Sequence, residues 1–356
     1  MPRAGSQVVL CDYPVRFDTY KGCVSGCRYC FTRRKKDEII GTKVEVENDE
    51  GPQALRNFID GERKHEVSWI DSDWKFPLHF GGMSDCFQPV EREKRRMFQC
   101  MEILAETEYP WIVSTKHALP ANPEYLSLLS KCNVCFQYSL VSPEYDKLEP
   151  GAPSFYQRLE IIKKVAAVVP RMIVRIQPYM IEELDNVLNI TLPKSKEAGV
   201  YGVVIEGMKC YEGKLPGMEQ VGGDLCYPTW LLEEHFTKIR TRAKDLGLAF
   251  FCGENRLRWM GDSLGCCGCD DMPGFVGNKY NLNHIYMGED PQPTPAMKKV
   301  GTTVCFRTLQ QSAWCGDVLD QIPFDVMMRE IAKSEYGYKT MGLDIESRAK
   351  AFDIKM

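Results

Sequence analysis

Three cysteines pose the first chemical question. The segment Gly22-Cys23-Val24-Ser25-Gly26-Cys27-Arg28-Tyr29-Cys30-Phe31 spaces its thiols as Cys-x3-Cys-x2-Cys. Three thiolates on one short loop can ligate three irons of a [4Fe–4S] cube, which leaves the fourth iron open to a small molecule. Gly22 and Gly26 suit a loop that must turn sharply around such a group. Zinc is the rival reading, but structural zinc wants four closed ligands and paired Cys-x2-Cys spacings, and no fourth partner is evident nearby. A chance spacing in a cysteine-rich chain is the remaining alternative.

A second group follows much later. Cys266-Cys267-Gly268-Cys269 is compact, and Cys252 precedes it at the end of an apolar run. Three thiols within four residues are rarely core packing. They are expected to hold an auxiliary iron–sulfur cluster with Cys252 as fourth ligand, with zinc, a thiophilic substrate or a redox role as alternatives. Adjacent cysteines are poor joint ligands for one metal in a tight loop, so one of the pair can stay free. The remaining nine of the sixteen cysteines, Cys11, Cys86, Cys100, Cys132, Cys135, Cys210, Cys226, Cys305 and Cys315, are scattered and read mostly as small buried hydrophobes. The five histidines, His65, His79, His117, His235 and His284, show no metal-ligand spacing.

The elements that must position these groups alternate from about residue 77. Pro77–Phe80, Trp111–Ser114, Val134–Leu140, Met172–Ile176, Tyr201–Ile205 and Leu248–Cys252 read as strands. Glu91–Glu106, Pro123–Ser130, Ser154–Val168, Glu182–Ala198 and Thr229–Leu246 read as helices between them. Short loops and this rhythm predict an α/β fold with a parallel sheet, a partial (β/α)6 TIM-like barrel. Pattern alone does not separate that from a doubly wound sheet. Residues 1–252 form the expected barrel. Residues 253–356, rich in Gly, Pro and Asn at Met272–Asn278 and Asp290–Pro295, read as a Cys-bearing extension closing the barrel mouth, with helical signal only near Pro323–Ser334.

Bulk properties exclude little else. The 356 residues carry a formal net charge of -4, with 26% charged and 44% hydrophobic residues, as in an ordinary globular enzyme. The acidic balance weighs against a wide nucleic-acid-binding face, although a local groove is compatible with it. Arg33-Arg34-Lys35-Lys36 reads as a solvated face, with contact to a nucleic-acid backbone as the alternative. No apolar run reaches the about 18 residues of a membrane span. Arg3, Ser6 and Gln7 interrupt any apolar leader, so a cytoplasmic location is expected.

The cysteine motif, with an aromatic at Tyr29 before its last member, resembles the radical S-adenosylmethionine superfamily. Gly81-Gly82-Met83-Ser84-Asp85-Cys86-Phe87-Gln88-Pro89-Val90-Glu91 is similar to a strand-ending segment of the spore photoproduct lyase-like group. Val113-Ser114-Thr115-Lys116, Leu148-Glu149-Pro150 and Arg158-Leu159 are similar to the same group. This ordered likeness covers about residues 10 to 205.

The resemblance implies that Cys23, Cys27 and Cys30 hold a [4Fe–4S] cluster whose open iron chelates S-adenosylmethionine, and that reductive cleavage yields a 5′-deoxyadenosyl radical. It implies that Tyr29 packs near the adenine and that Gly81, Gly82 and Met83 receive the cofactor's ammonium. The usual acidic residue is absent at Met83, and Ser84 and Asp85 follow it. Ser139 matches a ribose contact, while Arg175 and Gln177 stand where they can reach the carboxylate or the substrate. Lys116 closes a barrel strand, and Cys86 can donate a hydrogen atom to a product radical or simply be packed. The expected reaction is hydrogen-atom abstraction from a nucleotide-like or other small substrate, with flavodoxin or ferredoxin as reductant. The alternatives are radical transfer of a 3-amino-3-carboxypropyl group to a small or thiophilic acceptor, which the vicinal Cys266-Cys267 pair suggests by likeness to enzymes that build organoarsenicals, and a non-catalytic iron–sulfur protein.

Overall fold

The structure is a computed structural model and describes residues 2–3, 8–34, 45–46, 51–64, 67, 69–210, 213–221, 224–287, 328–329 and 331–332. Seven strands form one parallel sheet: β1 (Arg16–Phe17), β2 (Leu78–Phe80), β3 (Trp111–Thr115), β4 (Val134–Ser139), β5 (Arg171–Tyr179), β6 (Gly202–Gly207) and β7 (Ala249–Cys252). Their spatial order equals their chain order, so β1 and β7 are the two edges. A doubly wound sheet reverses direction at a switch point, and this one does not. The arrangement is a partial barrel, with one more strand than the six read from the sequence because β1 is only two residues long.

Each crossover carries a helix. Gly51–Ile59, Arg96–Thr107, Pro123–Leu129, Phe155–Ala166, a mixed 3₁₀, α and π run over 181–197, and Thr229–Asp245 succeed one another between the strands. The expected single helix Glu91–Glu106 is broken at Arg95, which adopts φ 50°. Glu91 explains the break: its buried carboxylate accepts the Met97 and Phe98 N–H groups at 2.9 and 2.7 Å, capping the second segment. The helix at Phe155 starts with a capping box between Ser154 and Gln157. A small three-stranded antiparallel sheet of Lys209–Cys210, Glu219–Val221 and Asp224–Cys226 interrupts the last crossover, which the sequence pattern did not reveal.

Strand alternation divides the core in two. Phe80, Val113, Phe136, Val174, Ile205 and Phe250 face the helices in the larger core. Their strand neighbours Ile112, Cys135, Ile173, Val204 and Phe251 point into the barrel and form a second cluster with Tyr13, Cys267, Cys269, Met272 and Phe275. The latter four come from the C-terminal extension, which therefore plugs the barrel. It does so at the end opposite to the one expected. After β7 the chain runs back along that strand, with Asp262 donating its N–H to the Phe250 carbonyl at 2.8 Å. It then crosses the N-terminal strand ends, where Arg171 pairs with Asp271 at 2.8 Å and Asn133 donates to the Pro273 carbonyl at 2.8 Å. Asp12 fastens the assembly, accepting from Asn281 at 2.9 Å and lying 3.2 Å from Lys279 and His284. Asp290–Pro295 and most of Pro323–Ser334 lie outside the described residues.

Gly268 shapes the plug. It has φ +71°, and an added Cβ would stand 2.7 Å from Phe251 Cε2 and 2.9 Å from Ile173 Cδ1. Gly268→Ala is therefore expected to destabilise the fold by about 2 kcal/mol or more, through overpacking and left-handed backbone strain. Urea unfolding of the two proteins would measure it, and equal midpoints would refute the packing described.

Candidate functional site at the barrel mouth

Cys23, Cys27 and Cys30 lie on the loop that leaves the C-terminal end of β1, the end where barrel enzymes place their chemistry. Gly22 and Gly26 both have positive φ, at 82° and 62°. Two fixtures hold the loop. Buried Gln88 donates to the Gly22 carbonyl at 3.0 Å and accepts the Val24 N–H at 3.1 Å. The segment 148–151 grips the other side: Arg28 donates to the Leu148 carbonyl and Gly151 to the Ser25 carbonyl, each at 2.9 Å. Only glycine fits at 151, where a Cβ would meet the Val24 carbonyl at 2.4 Å.

A buried charge cluster joins this loop to the sheet. Lys116 Nζ, at the end of β3, lies 3.4 Å from Cys27 Sγ, 2.9 Å from the Tyr29 hydroxyl and 2.8 Å from Glu149 Oε1. Tyr29 also donates to Glu149, and Arg158 pairs with Glu149 Oε2 at 2.6 Å. Burial alone would raise the Glu149 carboxyl, but the charges of Lys116 and Arg158 hold it below the usual range. Burial pushes the Cys27 thiol up to about 11, against the opposing pull of Lys116.

The residues present fit a cluster. The three sulfurs are free thiols, Cys23 and Cys30 are half-exposed beside Ser25 and Thr32 hydroxyls at 3.2 and 3.1 Å, and an ammonium faces the third. Lys116 thus has its partners within the loop clamp, and the geometry makes it a residue that positions Cys27 and Tyr29. Tyr29 packs its ring at a tilt against Tyr145, with centroids 5.9 Å apart, and commits its hydroxyl to the clamp.

The Gly81-Gly82-Met83 stretch follows β2. Gly81 has φ +79°, and a Cβ there would stand 2.2 Å from the Ser114 carbonyl, so the close approach to β3 requires glycine. Asp18, a residue the sequence reading passed over, accepts the Met83 and Ser84 N–H groups at 3.0 and 3.4 Å. Ser84 donates to the Tyr20 carbonyl at 2.6 Å. Asp85 ties β2 to β3, accepting from Thr115 Oγ1 at 2.7 Å, the Lys116 N–H at 3.0 Å and the Phe87 N–H at 2.9 Å. Ser84 and Asp85 therefore serve as braces of the mouth. Cys86 is fully enclosed in the larger core, the setting of a packed thiol and not of a hydrogen donor at the mouth.

Below the mouth, a polar band crosses the barrel where apolar filling is the norm. His79 shares a hydrogen bond with Ser114 at 2.8 Å, and Ser114 donates to Gln137 at 3.0 Å. Arg175 donates to Gln137 at 2.5 Å and to Gln177, and Gln177 donates to Glu206. Glu206 lies 3.6 Å from Lys209. Ser139 is half-buried at the top of β4, with its carbonyl held by Arg158 at 3.1 Å. His79, Gln137 and Glu206 escaped the sequence reading because single polar residues in strands carry no spacing signal. Their alternation with apolar neighbours was the available clue.

The second cysteine group is not assembled as expected. Cys267 and Cys269 belong to the interior cluster, whereas Cys252 faces the helices in the outer core and donates to the Glu254 carbonyl at 3.7 Å. Alternation along β7 sends Phe251 inward and Cys252 outward, so a four-thiol set that includes Cys252 does not form. These residues do not fit the expected auxiliary cluster. Cys11 stands beside Cys266 instead. Among the described residues, no three His, Cys, Asp or Glu side chains are arranged to hold a single metal ion. The side chains of Arg33-Arg34-Lys35-Lys36, and His65, lie outside the described residues.

Sequential parallel strands with a cysteine loop after the first make a partial barrel whose two edges are β1 and β7. No protein-family model matches the chain, and no curated protein matches it either. Among solved structures, a variant of spore photoproduct lyase is similar at TM-score 0.54 and 14% identity, over 67% of this chain and 76% of that one. Another variant, described with bound AdoMet and dinucleoside spore photoproduct, is similar at TM-score 0.52 and 14% identity over the same shares. Streptococcus suis SuiB bound to S-adenosylmethionine aligns at TM-score 0.47 and 12% identity, over 68% of this chain and 51% of that one. The chain has the spore photoproduct lyase fold. No helix among the described residues is long and apolar enough to cross a membrane.

Two predictions follow from the electrostatics. Glu149→Gln would leave Lys116 and Arg158 buried without their carboxylate, so a loss of about 3–5 kcal/mol in stability is expected. Iron bound per chain after anaerobic reconstitution should fall with it, and unchanged iron and melting temperature would remove the clamp from the account. The second concerns His79, which burial first and then Arg175 hold down to about 3. Below pH about 6.5 the unfolded chain protonates this histidine while the folded one does not, so its contribution to stability is lost as pH falls. His79→Gln should flatten the fall in urea-unfolding stability between pH 7 and pH 5, and an unaltered slope would refute it.

Proposed function

We propose that this protein is a radical S-adenosylmethionine enzyme that starts hydrogen-atom abstraction from a small, nucleotide-like substrate seated in the barrel. One observation carries the reading: Cys23, Cys27 and Cys30 share a single clamped loop at the C-terminal end of β1, facing the glycine-lined end of β2. When bound, the cluster and S-adenosylmethionine supply reductive cleavage of a carbon–sulfur bond. The chain's own residues do the rest. Lys116 and Glu149 fix the loop, Gly81 and Gly82 admit close backbone approach, and the band from His79 to Glu206 offers donors and acceptors to a polar substrate. The spore photoproduct lyase structure described with a dinucleoside ligand supports the nucleotide-like class. A single-electron reductant of the flavodoxin or ferredoxin type completes the system, and a cytoplasmic setting agrees with reduced thiols.

A second reading is group transfer from the cofactor to a thiophilic acceptor, favoured by the thiols of Cys11, Cys266 and Cys267 inside the barrel. One assay separates the two. Anaerobically reconstituted protein given dithionite and S-adenosylmethionine should release 5′-deoxyadenosine, and joint replacement of Cys23, Cys27 and Cys30 by alanine should abolish release. Methylthioadenosine as the product would defeat hydrogen abstraction and favour aminocarboxypropyl transfer. Neither product, with full iron loading, would leave only the non-catalytic alternative.

A further inference from the structure

The polar band has a hub, Arg175, and its two amides are both turned toward that hub. Ser114, Gln137, Arg175 and Glu206 each stand two residues beyond a side chain of the plugged interior cluster. Strand alternation therefore points all four into the barrel. The floor orients Gln137, whose nitrogen donates to the Cys267 carbonyl at 2.9 Å. Its oxygen is then left to accept from Ser114 at 3.0 Å and from Arg175 at 2.5 Å. Gln177 is fixed in the same way: its nitrogen donates to Glu206, and its oxygen accepts from Arg175. Flipping either amide would set its nitrogen against the guanidinium, donor against donor.

This wiring satisfies the amides and leaves the cation short. A guanidinium carries five N–H donors, and Arg175 spends two of them on neutral amide oxygens. It forms no ion pair with a carboxylate among the described residues, because the Gln177 amide stands between it and Glu206. Arg171, earlier on the same strand, has its carboxylate in Asp271 at 2.8 Å. The spare donors of Arg175 are not walled in. Arg158 and Arg258 each enclose an Nε that lacks an acceptor, whereas the Nε of half-buried Arg175 is not so enclosed. A guanidinium held between two fixed amides is a preorganised receptor for an oxyanion, since its planar fork matches two oxygens. Beyond Gln177 the wall turns negative: Glu206 is half-buried, and its partner Lys209, 3.6 Å away, is shared with Asp224 at 3.3 Å.

We propose that Arg175 seats an oxyanion of the substrate, a phosphate or a carboxylate, with a hydroxyl or amino group of the same molecule turned toward Glu206. Such a seat rests on the substrate reading above and narrows it to an anionic molecule. It also separates Arg175 from the cofactor. Lys116, at the end of β3, is the strand-end residue that touches the cysteine loop, and Gln177 is the corresponding rim position of β5. Arg175 stands two residues deeper, about 7 Å down the strand. There it hydrogen-bonds Gln137, which itself rests on the plug. An anion on Arg175 would therefore lie below the level of the cysteine loop. Gln137 and Gln177 are positioning residues that aim the fork.

Three probes on one frame test the seat: thymidine, thymidine 5′-monophosphate and thymidine 5′-carboxylate. Each is titrated by calorimetry into anaerobically reconstituted protein without S-adenosylmethionine. A charged probe should bind about tenfold or more tighter than thymidine, and the tighter of the two identifies the oxyanion. Arg175→Gln should erase that advantage and Arg175→Lys should keep part of it, while affinity for S-adenosylmethionine stays within about twofold. The seat is overturned by no advantage in wild type, by an advantage that survives Arg175→Gln, or by an about tenfold loss of S-adenosylmethionine affinity in that variant. If the variants fail to fold, wild type suffices: the charged probe should protect Arg175 from phenylglyoxal in peptide maps, and thymidine should not. Equal labelling with and without the charged probe would overturn the seat as well. The radical reading is judged separately, by 5′-deoxyadenosine release, which can persist where the charged probes gain nothing.

Discussion

The ion pairs of Glu149 are the constraint on which the mouth depends. A carboxylate buried to 1% side-chain exposure survives only with strong partners, and it has Lys116 from β3, Arg158 from the following helix and Tyr29 from the cysteine loop. Each partner comes from a different element. The cysteine loop is therefore registered against the sheet by charge, where packing alone would leave a glycine-rich loop free to shift. Asp85 performs a similar task between β2 and β3, with neutral donors in place of cations. The mouth is a set of braced loops on a rigid rim, which is what a site needs if reacting atoms are to be held in place.

The fold was legible because β/α alternation writes itself in apolar periodicity, and six of seven strands fall within a few residues of their expected places. β1 was missed as a counted strand because two residues carry no period. The cysteine loop could be picked out because its three thiols are contiguous, and the structure keeps them on one loop after β1. Long-range groupings could not: Asp18, Gln137, Glu206 and Cys11 become neighbours of the site only when the barrel closes, and nothing local marks them. The assignment of Cys252 to the second thiol group failed for a related reason. Proximity in sequence said it was close, while the two-residue repeat of a strand turned it to the other face.

Lys116 shows how a strand-end position leaves a role open. The sequence reading named it a candidate site residue at the end of β3, and the structure commits its ammonium to Cys27, Tyr29 and Glu149. The charges of these partners outweigh burial and hold the lysine protonated, so it acts as a fixed cation beside the Cys27 thiol.

The plug of Met272, Phe275 and Tyr13 has a consequence for traffic. Among the described residues the N-terminal strand ends are stoppered, so a substrate of the kind proposed would approach the polar band from the rim that bears the cysteine loop, and the two would share one face of the sheet.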